Sequence, residues 1–444
     1  MIKKFLNYQV CLVIVLSIIG SISFGALLKH HYSGGKKFQT LQKIAVFFAE
    51  IPSNTKLMFT KGTININVPG KPRTHIQKDR FTRYISKKRD GILVLPRYDH
   101  SLKRSTVDVI DLNNFKVIHT YSHNISEMNE LVSNNIKYRR IKIDAAPIRF
   151  EYKHPLILND GSLISDGDFT PLFKIDFCSN LVWINQEEIF SHSKELDYQN
   201  NLWVPGQIYP FSKYISKVKS LYGSFQDDAI IKLNLDGKII FKKSVSEILL
   251  ENKKIGENLL LHKDPIHLND IEPVLSDSKY WKIGDVFLSL RNQSVILHYR
   301  PSTNELINFI KGPFFQQHDV DIISSKEISI FNNNNNLMKN NSEVLIYNFE
   351  NQKFTKKFNN QLKESNFHTY SQGLSQFLND GSLLVEEHNH GRIILFNSFG
   401  QKEWEFVNKD KNGDIGFVNW SRVIEDEIFI EQFKSLVENK KCTN

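Results

Sequence analysis

The sequence predicts an all-β fold, a six-bladed β-propeller preceded by an N-terminal transmembrane helix. Three observations carry this. An uncharged apolar stretch lies close to the amino terminus. From about residue 61 the hydrophobic period changes to two, the period of half-buried strands. One hairpin-like unit then recurs six times, and repeats of this size are the sequence signature of radially repeated sheets.

The elements follow in order. Lys3 and Lys4 precede VCLVIVLSIIGSISFGALL, Val10 to Leu28, which holds no charge. At roughly 1.5 Å rise per residue this stretch approaches the thickness of a bilayer core. Residues 1–9 are therefore assigned to the cytoplasm and 10–28 to a transmembrane anchor or signal. Ser23 and Gly25 offer only a weak cleavage site, which favours an uncleaved anchor. Either reading puts the bulk of the chain in the periplasm or otherwise outside the cytoplasm. Residues 29–60 read as a linker and one amphipathic helix, with Phe38, Leu41, Ile44, Ala45 and Phe48 at helical spacing. Residues 61–430 are assigned to the propeller and 431–444 to a C-terminal tail. The segment 428–437 fits either a closing strand followed by a helical turn or a single helix.

The repeated unit is an apolar run, an Asp or Asn, a short turn and a second apolar run. It occurs at 107–121, 173–183, 230–241, 295–309, 344–354 and 393–404. The residues opening the turns are Asp111, Asp176, Asn234, Arg300, Asn348 and Asn397, spaced by 65, 58, 66, 48 and 49 residues. A second repeat, LNDGSLI at 158–164 and LNDGSLL at 378–384, supports the same count. Two stacked β-sandwiches are the alternative architecture.

Composition narrows the class. The chain has 444 residues, 41% of them hydrophobic and 24% charged, which excludes disorder, collagen and coiled coil. The net charge of +9 is spread without a basic block, so no nucleic-acid partner is expected. Cys11, Cys178 and Cys442 fit no zinc spacing and no disulfide framework, so the core alone is expected to stabilise the body. The run Asn332 to Asn336 reads as a polar loop.

Four polar clusters stand outside the hairpins: His192 in FSHSKELD, His267 with Asn269 in DPIHLND, Arg291 in FLSLRNQ, and Gln317–His318 in FFQQHDVD. They fall in successive units, so a propeller would gather them at one mouth of its channel. Imidazoles, an amide and a guanidinium suit an oxyanion, and imidazole can also act as nucleophile, base or acid. A zinc site built from His192, His267 and His318 is the competing reading, but the nearby Arg291 opposes a divalent ion. No metal and no cofactor is therefore expected. Trp203 and Tyr209 are candidates to stack on an aromatic ligand, with blade packing as their alternative.

With these motifs in view, the chain resembles the bacterial arylsulfotransferases. These are periplasmic six-bladed propellers that move a sulfuryl group between phenols without a nucleotide donor. The resemblance rests on H-x-x-x-L-D at His192, H-x-N at His267–Asn269, L-S-x-R ending at Arg291, Q-H at Gln317–His318, and the LNDGSLLV stretch at 378–385; it covers about 140–424. It implies His318 as the nucleophile that takes the sulfuryl group, His267 and Arg291 as further catalytic groups, and His192, Asn269 and Gln317 as substrate-binding residues. Its partners would be a small-molecule aryl sulfate and a phenol, with the membrane held through residues 10–28. The chain departs from the pattern in its acidic neighbours Asp319 and Asp321, in lacking a cysteine pair and in showing no separate N-terminal β domain. A hydrolase using water as acceptor and a non-catalytic anion-binding or scaffolding propeller are the alternatives. Oligomeric state is not legible.

Overall fold

The computed structural model describes residues 2–32, 38, 40–42, 44–49, 51, 80–86, 88–132, 147, 149–167, 170–212, 214–216, 225–256, 263–334 and 341–442. Much of the expected linker and all of 61–79 lie outside these residues. The N-terminal helix runs Ile2–Tyr32, and its part Val10–His30 is long and apolar enough to cross a membrane. The rest forms six antiparallel sheets among the described residues, the six blades of a propeller.

Blade 1 contains Ile92–Asp99, Arg104–Asp111 and Lys116–Tyr121. Its innermost strand comes from the other end of the chain, Arg422–Ile424, which pairs with Ile92–Val94 and closes the ring. Blade 2 begins at Lys153–Ile157, blade 3 at Glu195–Leu196, blade 4 at Leu268–Pro273, blade 5 at Asp319–Ser324 and blade 6 at Ser375–Phe377. The early strand Phe81–Arg83 adds to the outer edge of blade 6. Apolar residues fill the gaps between neighbouring blades. Val107 and Phe173 share one cluster, Trp203 and Leu288 another, and Leu95 and Trp404 a third. Trp203 therefore packs between blades, only 3% exposed, and is no ligand platform.

The repeat found in the sequence is the hairpin between the third and fourth strand of each blade. Each hairpin holds one left-handed residue: Phe115, Ser179, Gly237, Asn304, Gln352 and Gly400. This is the turn that Asp and Asn favour, because their side chains accept from backbone N–H groups two to four residues on. Asp111 accepts from Asn113 N–H, Asp176 from Asn180, Asn234 from Lys238, Asn348 from Glu350 and Asn397 from Gln401. Arg300 is the exception; its guanidinium makes a two-point pair with the buried Asp285.

The inner edge of each blade borrows partners from the blade before it. Asp228 accepts from Leu268 N–H, Asp270 from Val320, Glu272 from Ile322 and Asp319 from Ser375, and Glu386 accepts from both Trp420 and Ser421. An innermost strand faces the channel with one side unpaired, and a buried orphan N–H costs about 1–3 kcal/mol. These carboxylates remove that cost and tie blade 3 to 4, 4 to 5, 5 to 6, and 6 to 1.

Two outcomes stand out at the carboxyl end. Of the two readings of segment 428–437 the single helix is the one found, as part of Glu427–Asn439, capped by Asp426 accepting from Phe429 N–H. Phe433 is buried beneath it, with Phe429 and Leu436 packed on Phe177 and Tyr121. Gly161, at φ 75°, lies directly under this helix, and a Cβ there would stand 2.7 Å from Leu436. The second is a correction, a disulfide: Cys178, in the outer hairpin of blade 2, joins Cys442 across 264 residues, with Cα atoms 5.3 Å apart. The sequence spacing carries no sign of the pair because the terminal helix brings Cys442 back to blade 2. The Asn run is also no simple loop, since Asn332 ends a strand and Asn333 and Asn334 are buried.

The disulfide is directly testable. The denatured, unreduced chain should show one free thiol, Cys11; three would refute the pairing. Cys178→Ser should cost about 2–5 kcal/mol, read as a lower melting temperature.

Candidate active site

Strand direction alternates within a blade, so the segment leading into each innermost strand shares an end with the loop between the second and third strands. All the predicted site residues lie at this end. Each of the six blades also has one left-handed residue at the start of its innermost strand: His154, His192, His267, Gln316, Gln372 and Trp420, with φ from 37° to 60°. Such a conformation is uncommon for non-glycine residues and is held only where the surroundings enforce it. At His192 the enforcing group is the fully buried Lys194, whose ammonium donates to the His192 carbonyl at 2.7 Å and pairs with Asp166 of blade 2.

Blades 3, 4 and 5 bring His192, His267 and His318 together. Their ring centroids lie 5.3 to 6.5 Å apart. One ring nitrogen from each falls within 4.8 Å of the others. His267 is held by Asp264, 2.7 Å from its Nδ1, so its Nε2 is left for the cluster. Burial raises the Asp264 carboxyl, but the His267 hydrogen bond and the nearby Arg291 outweigh this and hold it below the usual range.

His318 is buried, and its Nδ1 lies 2.6 Å from Asn333 Oδ1. Asn333 Nδ2 donates to the carbonyls of Thr369 and Gln372, which fixes the amide so that Oδ1 faces the ring. Nδ1 must then carry the proton and Nε2 the lone pair. That lone pair accepts from Gln372 N–H at 3.1 Å. Burial first, then the charges of His267 and Arg291, push the His318 imidazolium well below its ordinary range. Burial and the neighbouring His267 and His318 do the same to His192. At neutral pH both rings are therefore neutral and basic nitrogens are available.

The other predicted residues divide. Arg291 stands at the mouth on the loop after Val286–Leu290, with its guanidinium on Asn292 and, at 3.4 Å, on Gln316. Asn269 is buried; Nδ2 donates to the Gln317 carbonyl and Oδ1 has no partner among the described residues. Gln317 does not line the cluster. Its side chain turns into blade 4, where Nε2 donates to Ser289 Oγ and the Val295 carbonyl and ties the two blades, while Oε1 has no partner among the described residues. Tyr209 is 54% exposed beyond the second strand of blade 3, at the same end.

Asp264 and Asn333 were not singled out in the sequence. Asp264 stands three residues before His267, a spacing visible in DPIH. Asn333 was hidden in a run of like residues; the available signal was its place just after a second strand, where blade 4 has Arg291.

Deeper in the channel stand Glu195, Asp270, Glu272, Asp319 and Asp321. Burial first and mutual repulsion second hold Asp270, Glu272 and Asp319 well above the carboxylate range. Asp321 is pushed up to about 7, by burial and then by Glu195.

The profile of the arylsulfotransferase (ASST) family matches residues 154–409, a span that runs from blade 2 into blade 6 and contains the whole histidine cluster. The chain belongs to the arylsulfotransferase family. No curated protein matches this arylsulfotransferase-family chain significantly. Among solved structures it is similar to a protein of unknown function from Bacteroides caccae, at 10% identity and a TM-score of 0.49, covering 76% of this chain and 100% of that one. It is also similar to the virginiamycin B lyase from Staphylococcus aureus, at 11% identity and a TM-score of 0.35, covering 59% and 71%.

The channel carboxylates give this arylsulfotransferase-family chain a definite pH signature. Asp321 binds its proton more tightly folded than unfolded, where its value is near 3.8. Its contribution is thus present at low pH and lost as pH rises through about 7. Asp321→Asn should raise the melting temperature by roughly 1–3 °C at pH 8 and hardly below about pH 4, where the unfolded carboxyl is protonated too. An equal shift at both would refute the assignment.

Proposed function

We propose that this protein transfers a sulfuryl group from an aryl sulfate to a phenol, with His318 as the nucleophile. The observation that carries this reading is the buried, neutral His318. Its tautomer is fixed by Asn333 and its Nε2 lone pair lies beside His192, His267 and Arg291. Family membership supports a transferase and, with it, aryl sulfate and phenol as substrates.

In the first half-reaction Nε2 of His318 attacks sulfur, releasing the hydrogen bond from Gln372. The N–S bond forms as the bond from sulfur to the aryl oxygen breaks. The departing phenolate takes a proton from Nε2 of His267, which Asp264 orients through Nδ1. Arg291 and the remaining Asn269 amide hydrogen offset charge on the sulfuryl oxygens. In the second half-reaction His267 removes the proton of the acceptor phenol. Its oxygen attacks sulfur, the N–S bond breaks and His318 returns to its neutral form. This division of one transfer into two gives ping-pong kinetics.

The setting is part of the same proposal. Val10–His30 anchors the protein, and the propeller lies in the periplasm or an equivalent extracytoplasmic space. Disulfides persist in oxidising compartments, and Cys178–Cys442 supports that side of the membrane.

The full chain in detergent, given 4-nitrophenyl sulfate and a phenol, should release nitrophenol only when the acceptor is present. His318→Ala should lower the rate by roughly a thousandfold or more. Release without acceptor would favour a hydrolase. No release from folded protein with several phenols would leave an anion-binding propeller.

A further inference from the structure

We infer that His192, His267 and His318 form an inhibitory site for a transition-metal dication of the zinc class, bound in competition with the aryl sulfate. Three imidazole nitrogens from three blades lie within 4.8 Å of one another. Tetrahedral zinc with bonds of about 2.0–2.1 Å needs nitrogens roughly 3.3–3.4 Å apart. Side-chain shifts of up to about 1.4 Å would close the gap. Nitrogen donors select zinc, copper, nickel or cobalt over magnesium or calcium, which take oxygen.

The surroundings resemble those of a prepared metal ligand set. Asp264 on Nδ1 of His267 is a carboxylate–histidine pair of the sort that orients a ligand and strengthens its basicity. Asn333 plays the corresponding part on His318. His192 Nδ1 is buried and has no partner among the described residues. Three protein ligands would leave a fourth position open to water or an anion. Two features oppose the metal: Arg291 repels it, and the Gln372 N–H must release Nε2 of His318. They make the site one that a free ion occupies reversibly, not a permanent metal centre.

The metal contacts stand on geometry alone, whereas the competition rests on the transfer reading. Chelator-treated full chain would be titrated with zinc chloride by calorimetry and with cobalt chloride by absorption. One zinc per chain is expected, with the visible bands of tetrahedral cobalt. His192→Ala should weaken binding at least tenfold. Arg291→Gln should tighten it severalfold, a gain that misfolding cannot imitate. Zinc should raise KM for 4-nitrophenyl sulfate and leave kcat unchanged. No stoichiometric zinc, octahedral cobalt, or undiminished binding in His192→Ala would overturn the site. Binding without any rise in KM would overturn the competition. Absence of all turnover would defeat the transfer reading while leaving the binding result to stand or fall by itself.

Discussion

The unpaired inner edge of each blade is the constraint on which the molecule depends. A propeller gathers its innermost strands around a channel, and no further strand pairs their free sides. In blades 4, 5, 6 and 1 the missing partners are carboxylates sent from the preceding blade, from Asp228 of blade 3 round to Glu386 of blade 6, and in blades 2 and 3 they are the Ser105 hydroxyl and the His154 ring. This explains the acidic residues that look out of place beside an anion site. Asp319 follows His318 because its carboxylate holds the Ser375 N–H of blade 6. The same inner strands then carry basic and amide groups at their starting ends and acids further in. The acidic side chains are kept below the histidines, where burial and repulsion favour their protonated forms and they order the blades without meeting the ligand face to face.

The conformational work at the mouth is equally local. A left-handed residue begins every inner strand, and in blades 3 and 4 that residue is itself a histidine of the cluster. Function has been placed where the fold must already make an unusual turn. The supports are different in kind for each ring. Lys194 holds the backbone of His192, Asp264 the tautomer of His267, and Asn333 the tautomer of His318. Each ring is thus oriented by a polar neighbour, at whatever distance along the chain that neighbour happens to lie.

Much of this was legible in the sequence, for physical reasons that can be named. Six outer hairpins were visible because turn chemistry is local: an Asx residue and a left-handed position recur within a few residues. Arg300 broke the pattern and the hairpin survived, its place as a turn cap taken by nothing and its charge spent on Asp285. The histidines were visible because they are chemically rare and fall in successive units. What was not legible depends on distant partners. A three-residue closing strand, Arg422–Ile424, has too little pattern to be recognised without the edge it completes. Cys442 gives no hint of Cys178 in the sequence, because the pairing depends on the terminal helix packing against blades 1 and 2. Gln317 is a polar residue beside the nucleophile whose amide nitrogen is taken up by blade 4, a use that its sequence position did not reveal.

The way the ring is sealed also determines how it would carry a mechanical load. The strand Phe81–Arg83 is the first described strand after the apolar helix, and it lies on the outermost edge of blade 6, paired at three positions. A pull arriving from the helix side is delivered to this edge strand. The closing strand and the Cys178–Cys442 link lie elsewhere on the circumference. Peeling the edge strand would lengthen the tether while the six blades remained a closed ring. If the apolar helix serves as a tether, this edge is a sacrificial seam, set apart from the strand and the disulfide that close the ring.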